Sequence, residues 1–243
     1  MPERAHAVLY RSVIYRCVIG SRAYGLDEPG SDTDRRGIFL PPAARHWSLA
    51  GVPEQLEHEP TQECYWELGK FLGLALRANP HVLECLYTPL IEESTPLADE
   101  LLAMRHCFLS RRLHQTYGGY VRAQFRKLEQ DRRARGAIRP KHAMHLIRLL
   151  LAGNAALREG ILPVVVGEER DRLLAIRRDE MPWEEIEAWR QQLHRDFDEA
   201  FARTRLPEEP DHTRVDAFLV AARGSRAREW LAVADDAHQR ARG

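Results

Sequence analysis

The stretch that decides the fold lies between residues 20 and 37, and it reads Gly20-Ser21-Arg22-Ala23-Tyr24-Gly25 and then Ser31-Asp32-Thr33-Asp34-Arg35-Arg36-Gly37. An apolar run precedes it at residues 13–19, and another follows it at 38–40. This pattern predicts a strand, a tight turn, a short helix and a second strand. Gly20 lets a ligand approach the backbone, Ser21 offers a hydroxyl, and the amides of the helical turn point at an anion. The stretch therefore predicts a cradle for a triphosphate.

Two aspartates follow the predicted cradle. Residues two apart on a strand face the same way, so Asp32 and Asp34 are expected to place both carboxylates on one face. Paired carboxylates beside bound phosphates are what Mg²⁺ or Mn²⁺ needs. Aspartates among Ser, Gly and Arg are most often turn formers. We prefer metal binding because a turn alone would not require the upstream Gly-Ser pair and the two apolar runs.

The Gly-Ser pair and the Asp-x-Asp resemble the signature of the DNA polymerase beta-like nucleotidyltransferase superfamily. The longer motif is similar to one branch of it, the predicted bacterial and phage nucleotidyltransferases associated with RNA repair. Two further segments match that branch, at residues 67–86 and 141–150, so the resemblance covers about the first two thirds of the chain. It implies metal-dependent transfer of a nucleoside monophosphate from a nucleoside triphosphate to an RNA end or a protein side chain, with release of pyrophosphate.

The resemblance also implies a third carboxylate, from a neighbouring strand, that binds metal and takes part in catalysis. Glu63 falls closest to where the branch places an acid, although a glutamate stands there instead of the expected aspartate. Glu57 and Glu59, two apart on a predicted strand, are the alternatives. An incomplete carboxylate set would favour a different function, a non-catalytic nucleotide-binding or antitoxin-like module. A metal-dependent nuclease is a third possibility, but it has no need of the cradle.

Several cations are candidates for binding the nucleotide. Arg22 and Arg36 flank the cradle, and the resemblance makes Arg36 a phosphate contact or an ion-pair partner of the aspartates, whereas Arg35 departs from the branch pattern and is expected to face solvent. Lys70 lies on a predicted helix from which a cation could reach a triphosphate. A second set shares one face of another helix, because its spacing is i, i+4 and i+7, and consists of Lys141, His145 and Arg148. Two flanking cations favour the neutral form of His145.

The predicted fold class is α+β. A small mixed sheet, the nucleotidyltransferase core, is expected within residues 1–90, and a mostly helical domain or lobe within residues 91–243. Predicted strands include residues 55–59 and 63–65. Helices are predicted at residues 4–11, 66–77, 80–86, 96–107, 110–133 and from 138 or 140 to 159, followed by one from Met181 and a final one carrying Trp230. A β-rich pentamer at 162–166 is ambiguous.

Composition constrains partners only weakly. The chain has 243 residues, and 36 basic residues balance 36 acidic ones, but residues 110–150 contain eleven Lys or Arg against two acids. Such a block either follows a phosphate backbone or forms a solvated helix face. The four cysteines have no Cys-x-x-Cys spacing and are expected to be reduced and buried. No leader or membrane span is apparent, so a cytoplasmic location is predicted. The sequence leaves the oligomeric state open.

Overall fold

A five-stranded mixed sheet lies in the N-terminal half of the chain, in a computed structural model that describes residues 9–136 and 138–240. The strand order is β3-β4-β2-β1-β5; β2 and β4 run parallel, and the other neighbouring pairs run antiparallel. The strands are β1 Val13–Ile19, β2 Asp34–Phe39, β3 Gln55–His58, β4 Glu63–Glu67 and β5 Ile91–Ser94.

Helices make up most of the remainder. Four of them lie between or just after the first four strands: α1 Ser21–Tyr24, α2 Ala43–Trp47, α3 Leu68–Leu76 and α4 Pro80–Tyr87. The helices beyond β5 are α5 Pro96–Ala103, α6 Arg112–Arg135, α7 Pro140–Glu159, α8 Arg170–Arg177, α9 Trp183–Arg203 and α10 His212–Arg240. The predicted α+β class is confirmed.

Local sequence explains where several helices begin. Asn79 accepts a hydrogen bond from the Val82 amide at 3.2 Å, and Pro80 follows it as the first helical residue of α4. Thr95 caps α5 in the same manner, with Pro96 next along the chain. Each cap satisfies an amide that has no partner within the helix, and proline has no such amide to satisfy. These two boundaries were predicted from sequence and are confirmed.

The two faces of the sheet pack differently. One face carries Tyr15 and Ile38 into a core that continues through α3 and α4 to α6–α9. The other carries Phe39 and Tyr65 into a small separate cluster. Helix α7 lies among α6, α8 and α9, and nearly all of its residues from 143 to 157 are buried. One core thus connects the sheet with the helices, and the boundary after residue 90 stays a prediction.

The structure departs from the sequence prediction in several places, and helix α2 is one of the elements that were not predicted. Strand β5 was not predicted, because its residues Ile-Glu-Glu-Ser are all exposed on an edge and show no apolar alternation. Helix α8 was also missed. The β-rich segment 162–166 forms no strand; Pro163 lacks an amide to donate, and Leu162 and Val164 are instead buried against the core. The helix predicted at residues 4–11 lies mostly outside the described residues.

The cysteines agree with the prediction of reduced thiols. The cysteines are free thiols, buried at Cys17, Cys85 and Cys107 and partly buried at Cys64. Across the described ranges, no helix combines the length and apolar character that crossing a membrane requires.

Candidate active site

The end of β1 and the start of β2 bring the glycine of the predicted cradle against an aspartate. Gly20 precedes α1 with φ 76° and ψ −157°, a conformation that side chains disfavour. A Cβ at this position would lie 2.5 Å from Oδ2 of Asp34. Since Ile19 pairs with Asp34 across the two strands, the close approach is built into the sheet register. A glycine is therefore required here to let the Asp34 carboxylate lie against the turn.

Arg36 is the cation that accompanies this carboxylate. Its Nη2 lies 3.6 Å from Oδ1 of Asp34, and its Nη1 donates to the carbonyls of Arg35 and Gln62, both at 2.8 Å. Arg36 therefore lies within ion-pair distance of Asp34, which is one of the two roles expected for it. Arg35 points to the opposite face and pairs with Glu92 at 2.9 Å. Asp34 keeps about a third of its side chain exposed, so its carboxylate remains accessible to a ligand.

Asp34 and Arg36 lie at one end of a cavity of about 510 Å³, which we call the central cavity. This volume is within the usual range for small-molecule sites. The sheet side is formed by Ile19, Gly20, Asp34 and Arg36, and helices α4, α6 and α7 supply the opposite side. Of the predicted site residues, the central cavity brings together Gly20, Asp34, Arg36, His145 and Arg148.

A buried ion pair forms the helical side of the central cavity. Arg148 Nη2 donates to one carboxylate oxygen of Glu84, and the Tyr24 hydroxyl donates to the other at 2.6 Å. The Arg148 guanidinium also stacks on the Tyr24 ring, 3.6 Å from its centroid. Arg148 and Glu84 are only 5% and 2% exposed. Because burial removes water from both charges, each depends on the other.

His145 lies beside this ion pair, with its ring 6.0 Å from that of Tyr24. Burial, and then the positive charges of Arg148 and Lys141, lower the pKa of His145 to about 3. The ring is therefore neutral at physiological pH, as the sequence analysis expected. A neutral imidazole can bind a ligand through one donor and one acceptor, but it contributes no charge.

This lowered pKa gives a testable pH dependence. Between the ordinary value of 6.5 and about 3, the unfolded chain carries a proton on His145 that the folded protein does not carry. Stability therefore falls as the pH falls through this window. Between pH 7 and pH 5, the wild type should lose about 2 kcal/mol more unfolding free energy than the His145→Gln variant.

Urea denaturation at the two pH values measures this difference. His194, whose pKa burial also lowers, to about 4, is present in both proteins and cancels in the comparison. Equal pH dependence in the two proteins would show that His145 titrates normally in the fold.

The remaining residues of the cradle lie next to the central cavity but do not line it. Ser21 begins α1, immediately after Gly20. Arg22 donates to the carbonyls of Ser31 and Asp32, at 2.8 and 3.2 Å, so its guanidinium holds the chain that leads into β2. Asp32 is exposed, and β2 begins at Asp34, two residues later. Of the predicted pair of aspartates, Asp34 therefore lines the cavity, whereas Asp32 precedes the strand and does not line it.

The structure does not bring Glu63 together with Asp34. Glu63 pairs with Arg35 across β2 and β4, so it shares the face of Arg35, opposite to that of Asp34. Its carboxylate accepts a hydrogen bond from the Tyr65 hydroxyl at 3.1 Å on that face. The position of β4 on the Asp34 face is Cys64, which pairs with Arg36.

Neither alternative supplies an acid close to Asp34. Glu57 pairs with Cys64 and so shares the Asp34 face, but it lies on the edge strand β3, about 10 Å from the backbone of β2. Glu59 lies in the exposed turn after β3. On β4, the face that Asp34 shares therefore carries none of the three candidates for the third carboxylate.

Lys70 lies outside the central cavity. Its Nζ pairs with Glu54 at 2.6 Å in a second cleft, which also contains Glu67 and Arg223. The helix carrying Lys70 begins with Glu67 as its cap, and Lys70 lines this second cleft and not the central cavity. Lys141 is exposed, one turn before His145 on α7.

Sequence reasoning missed several contributors to the central cavity, among them Glu84, His81 and Arg77. Glu84 and His81 lie in the segment 67–86, which the sequence analysis used only for its resemblance to the family. Arg77 is the last residue of the helix predicted at 66–77. A buried acid in an otherwise apolar helix was a usable signal, because such an acid requires a partner. Its partner is 64 residues away, so the pairing itself could not be inferred.

The donor set indicates how a divalent cation could be held. Asp34 is an accessible carboxylate, and Asp32 lies two residues before it. In residues 9–136 and 138–240, no cluster of three or more His, Cys, Asp or Glu side chains could hold a metal alone. Mg²⁺ is commonly bound by one or two carboxylates together with substrate phosphates. The residues therefore fit a metal that arrives with a triphosphate.

A match to a family model defines the class of this chain as polymerase beta-like. The chain belongs to the RlaP family, the RNA repair pathway DNA polymerase beta family, whose model matches residues 2–221. It is also similar to an uncharacterized protein, YcgL of Bacillus subtilis (strain 168), with 31% identity over 97 residues. That match covers 38% of this chain and 37% of YcgL.

Proposed function

We propose that this protein is a metal-dependent nucleotidyltransferase that moves a nucleoside monophosphate from a nucleoside triphosphate to an acceptor. The observation that carries the proposal is the contact between Gly20 and Asp34 at the end of a cavity of ligand size. A side-chain-free turn next to a carboxylate permits a phosphate chain to approach the backbone. Membership of the polymerase beta family supports the same reaction.

In this proposal the triphosphate lies along the turn at Gly20 and Ser21. Arg36 supplies positive charge, and its second nitrogen holds the strand backbone, which fixes the guanidinium in place. Asp34 and Asp32 would hold Mg²⁺ or Mn²⁺, which when bound neutralises phosphate charge during the reaction. Preorganised charge of this kind lowers the barrier because it requires no reorganisation at the moment of reaction.

The helical side of the cavity positions the base, the ribose or the acceptor. Neutral His145 offers a hydrogen bond. Arg148 of α7, Glu84 of α4 and Tyr24 of α1 contact one another and so hold the three helices together. An acceptor oxygen attacks the α-phosphorus and its proton passes to solvent, the bond from the α-phosphorus to the bridging oxygen breaks, and pyrophosphate leaves. The acceptor is an RNA end or a protein side chain.

Radiolabelled nucleotide tests the reaction directly. Purified protein is incubated with each α-labelled nucleoside triphosphate and Mg²⁺ or Mn²⁺, with RNA or protein acceptors present. The wild type should release pyrophosphate and transfer label, and the double variant Asp32→Ala, Asp34→Ala should do neither.

A non-catalytic module is the alternative, and the lack of an acid next to Asp34 on β4 favours it. Nucleotide binding by the wild type without label transfer to any RNA, protein or nucleotide would support the module and refute the enzyme.

A further inference from the structure

The mouth of the central cavity is lined by aromatic and imidazole rings. Tyr120 of α6 and His142 of α7 line it, and 43% of Tyr120 is exposed. A large ring left open at the edge of a cavity offers a flat surface to a ligand. Nucleobases stack on such rings irrespective of their sequence.

Four cations lie near these rings or line the same cavity, and we call them the rim cations: Arg77, Lys127, Arg139 and Lys141. Lys127 lies two turns after Tyr120 on the same face of α6, and Arg139 and Lys141 flank the first residue of α7. Arg77 lines the central cavity itself. The positive charges of Arg139 and Lys127 contribute to a lowered pKa of His142, after burial, which indicates that both lie near that ring.

Within the described residues, the rim cations have no acidic partners. In the part of the chain that the structure describes, none of the four side chains forms an ion pair or a hydrogen bond to another residue. By contrast, Lys70 and Arg223 in the second cleft are paired with acids. Asp131, one turn beyond Lys127, is the acid closest along this face of α6. The mouth therefore has an excess of positive charge.

We infer that this mouth binds a single-stranded nucleic acid, with a base on Tyr120 and His142 and phosphates on the rim cations. This inference rests on the proposed function, because the strand would supply the acceptor end to the cavity. A groove of unpaired cations with an open aromatic ring is the combination that single-strand binding requires. A folded protein acceptor would have no phosphates to match the four cations.

Fluorescence anisotropy with a short labelled single-stranded RNA tests the inference, without nucleotide or metal. The double variant Lys127→Gln, Arg139→Gln should bind about tenfold more weakly at 0.1 M salt. For this variant, the slope of log affinity against log salt concentration should be smaller in magnitude by about 1, because fewer counterions are released on binding. Tyr120→Ala should weaken binding about tenfold as well, with little change in the slope.

The matched control removes the same charge elsewhere. Arg203 and Arg205 are exposed and flank Thr204, which bonds to Leu157, about 25 Å along α7 from the mouth. The double variant Arg203→Gln, Arg205→Gln should bind RNA as the wild type does. Single-stranded DNA of the same sequence separates recognition of the ribose hydroxyl from recognition of phosphates and bases.

The inference and the proposed function can fail separately. Equal RNA affinity of the two double variants, or no RNA binding by the wild type, would overturn the inference even if label transfer occurs. Transfer of label to a protein without strand binding would overturn it in favour of a protein acceptor. Loss of strand binding in the rim variant, with nucleotide binding unchanged, would support it even if no transfer is detected.

Discussion

The Asp34→Asn variant is expected to transfer nucleotide about a thousandfold more slowly than the wild type while remaining folded. Asparagine has the same shape as aspartate, so its side chain still fits against Gly20, where even an added Cβ would lie too close to residue 34. The variant lacks the negative charge that would hold a divalent cation next to the phosphates. Such charge stabilisation contributes several kcal/mol to phosphoryl chemistry, and each 1.4 kcal/mol corresponds to about tenfold in rate.

Initial rates of label transfer at saturating nucleotide, combined with thermal unfolding, measure this effect. Asp27→Asn is the matched control, because Asp27 is exposed on the loop after α1 and does not line the central cavity. The control should retain wild-type activity. If Asp34→Asn is folded and keeps more than about a tenth of the wild-type rate, the carboxylate is not at the reacting phosphate and the proposed site is wrong.

The Arg148→Met variant is expected to be less stable by about 3–5 kcal/mol. Methionine fills a similar space but leaves the Glu84 carboxylate buried with only the Tyr24 hydroxyl as a described side-chain partner. A buried charge without its counter-ion is among the most costly single defects in a protein core. For a chain of this length the midpoint of thermal unfolding should fall by about 10 °C.

A second substitution distinguishes the ion pair from simple packing. Adding Glu84→Gln to Arg148→Met removes the uncompensated charge and keeps an acceptor for Tyr24, so most of the lost stability should return. Urea denaturation of the wild type, both single variants and the double variant forms a complete cycle. If the double variant is as unstable as the sum of the two single variants, the charges do not interact and the loss comes from packing.

Local patterns predicted most of the elements. The apolar run before Gly20 is β1 at the predicted residues, and the strands predicted at 55–59 and 63–65 are β3 at Gln55–His58 and β4 at Glu63–Glu67. Caps at Asn79 and Thr95 located the starts of two helices. These features depend on neighbours within a few residues, which is the range over which propensity and capping act. Strand β5 was missed because its strand conformation comes from pairing with β1 and not from its own residues.

The site was only partly predictable, because strand register determines which face each residue occupies. The alternation of side chains along β4 was evident, but its register relative to β2 was not. That register places Cys64 beside Arg36 and turns Glu63 to the other face. Likewise, Lys70 was known to be helical, while its place in the second cleft depends on how α3 packs against α10.

The sequence by itself determined that three residues meet at the turn after β1: Gly20, Asp34 and Arg36 lie within 17 consecutive residues, and their proximity follows from one strand, one turn and the next strand. Only the tertiary structure decided what faces this turn. Glu84, His145 and Arg148 come from helices far along the chain, and they meet Tyr24 because burial of one continuous core brings α4 and α7 together. A buried charge requires a partner, but which partner is set by packing over distances that no local pattern encodes.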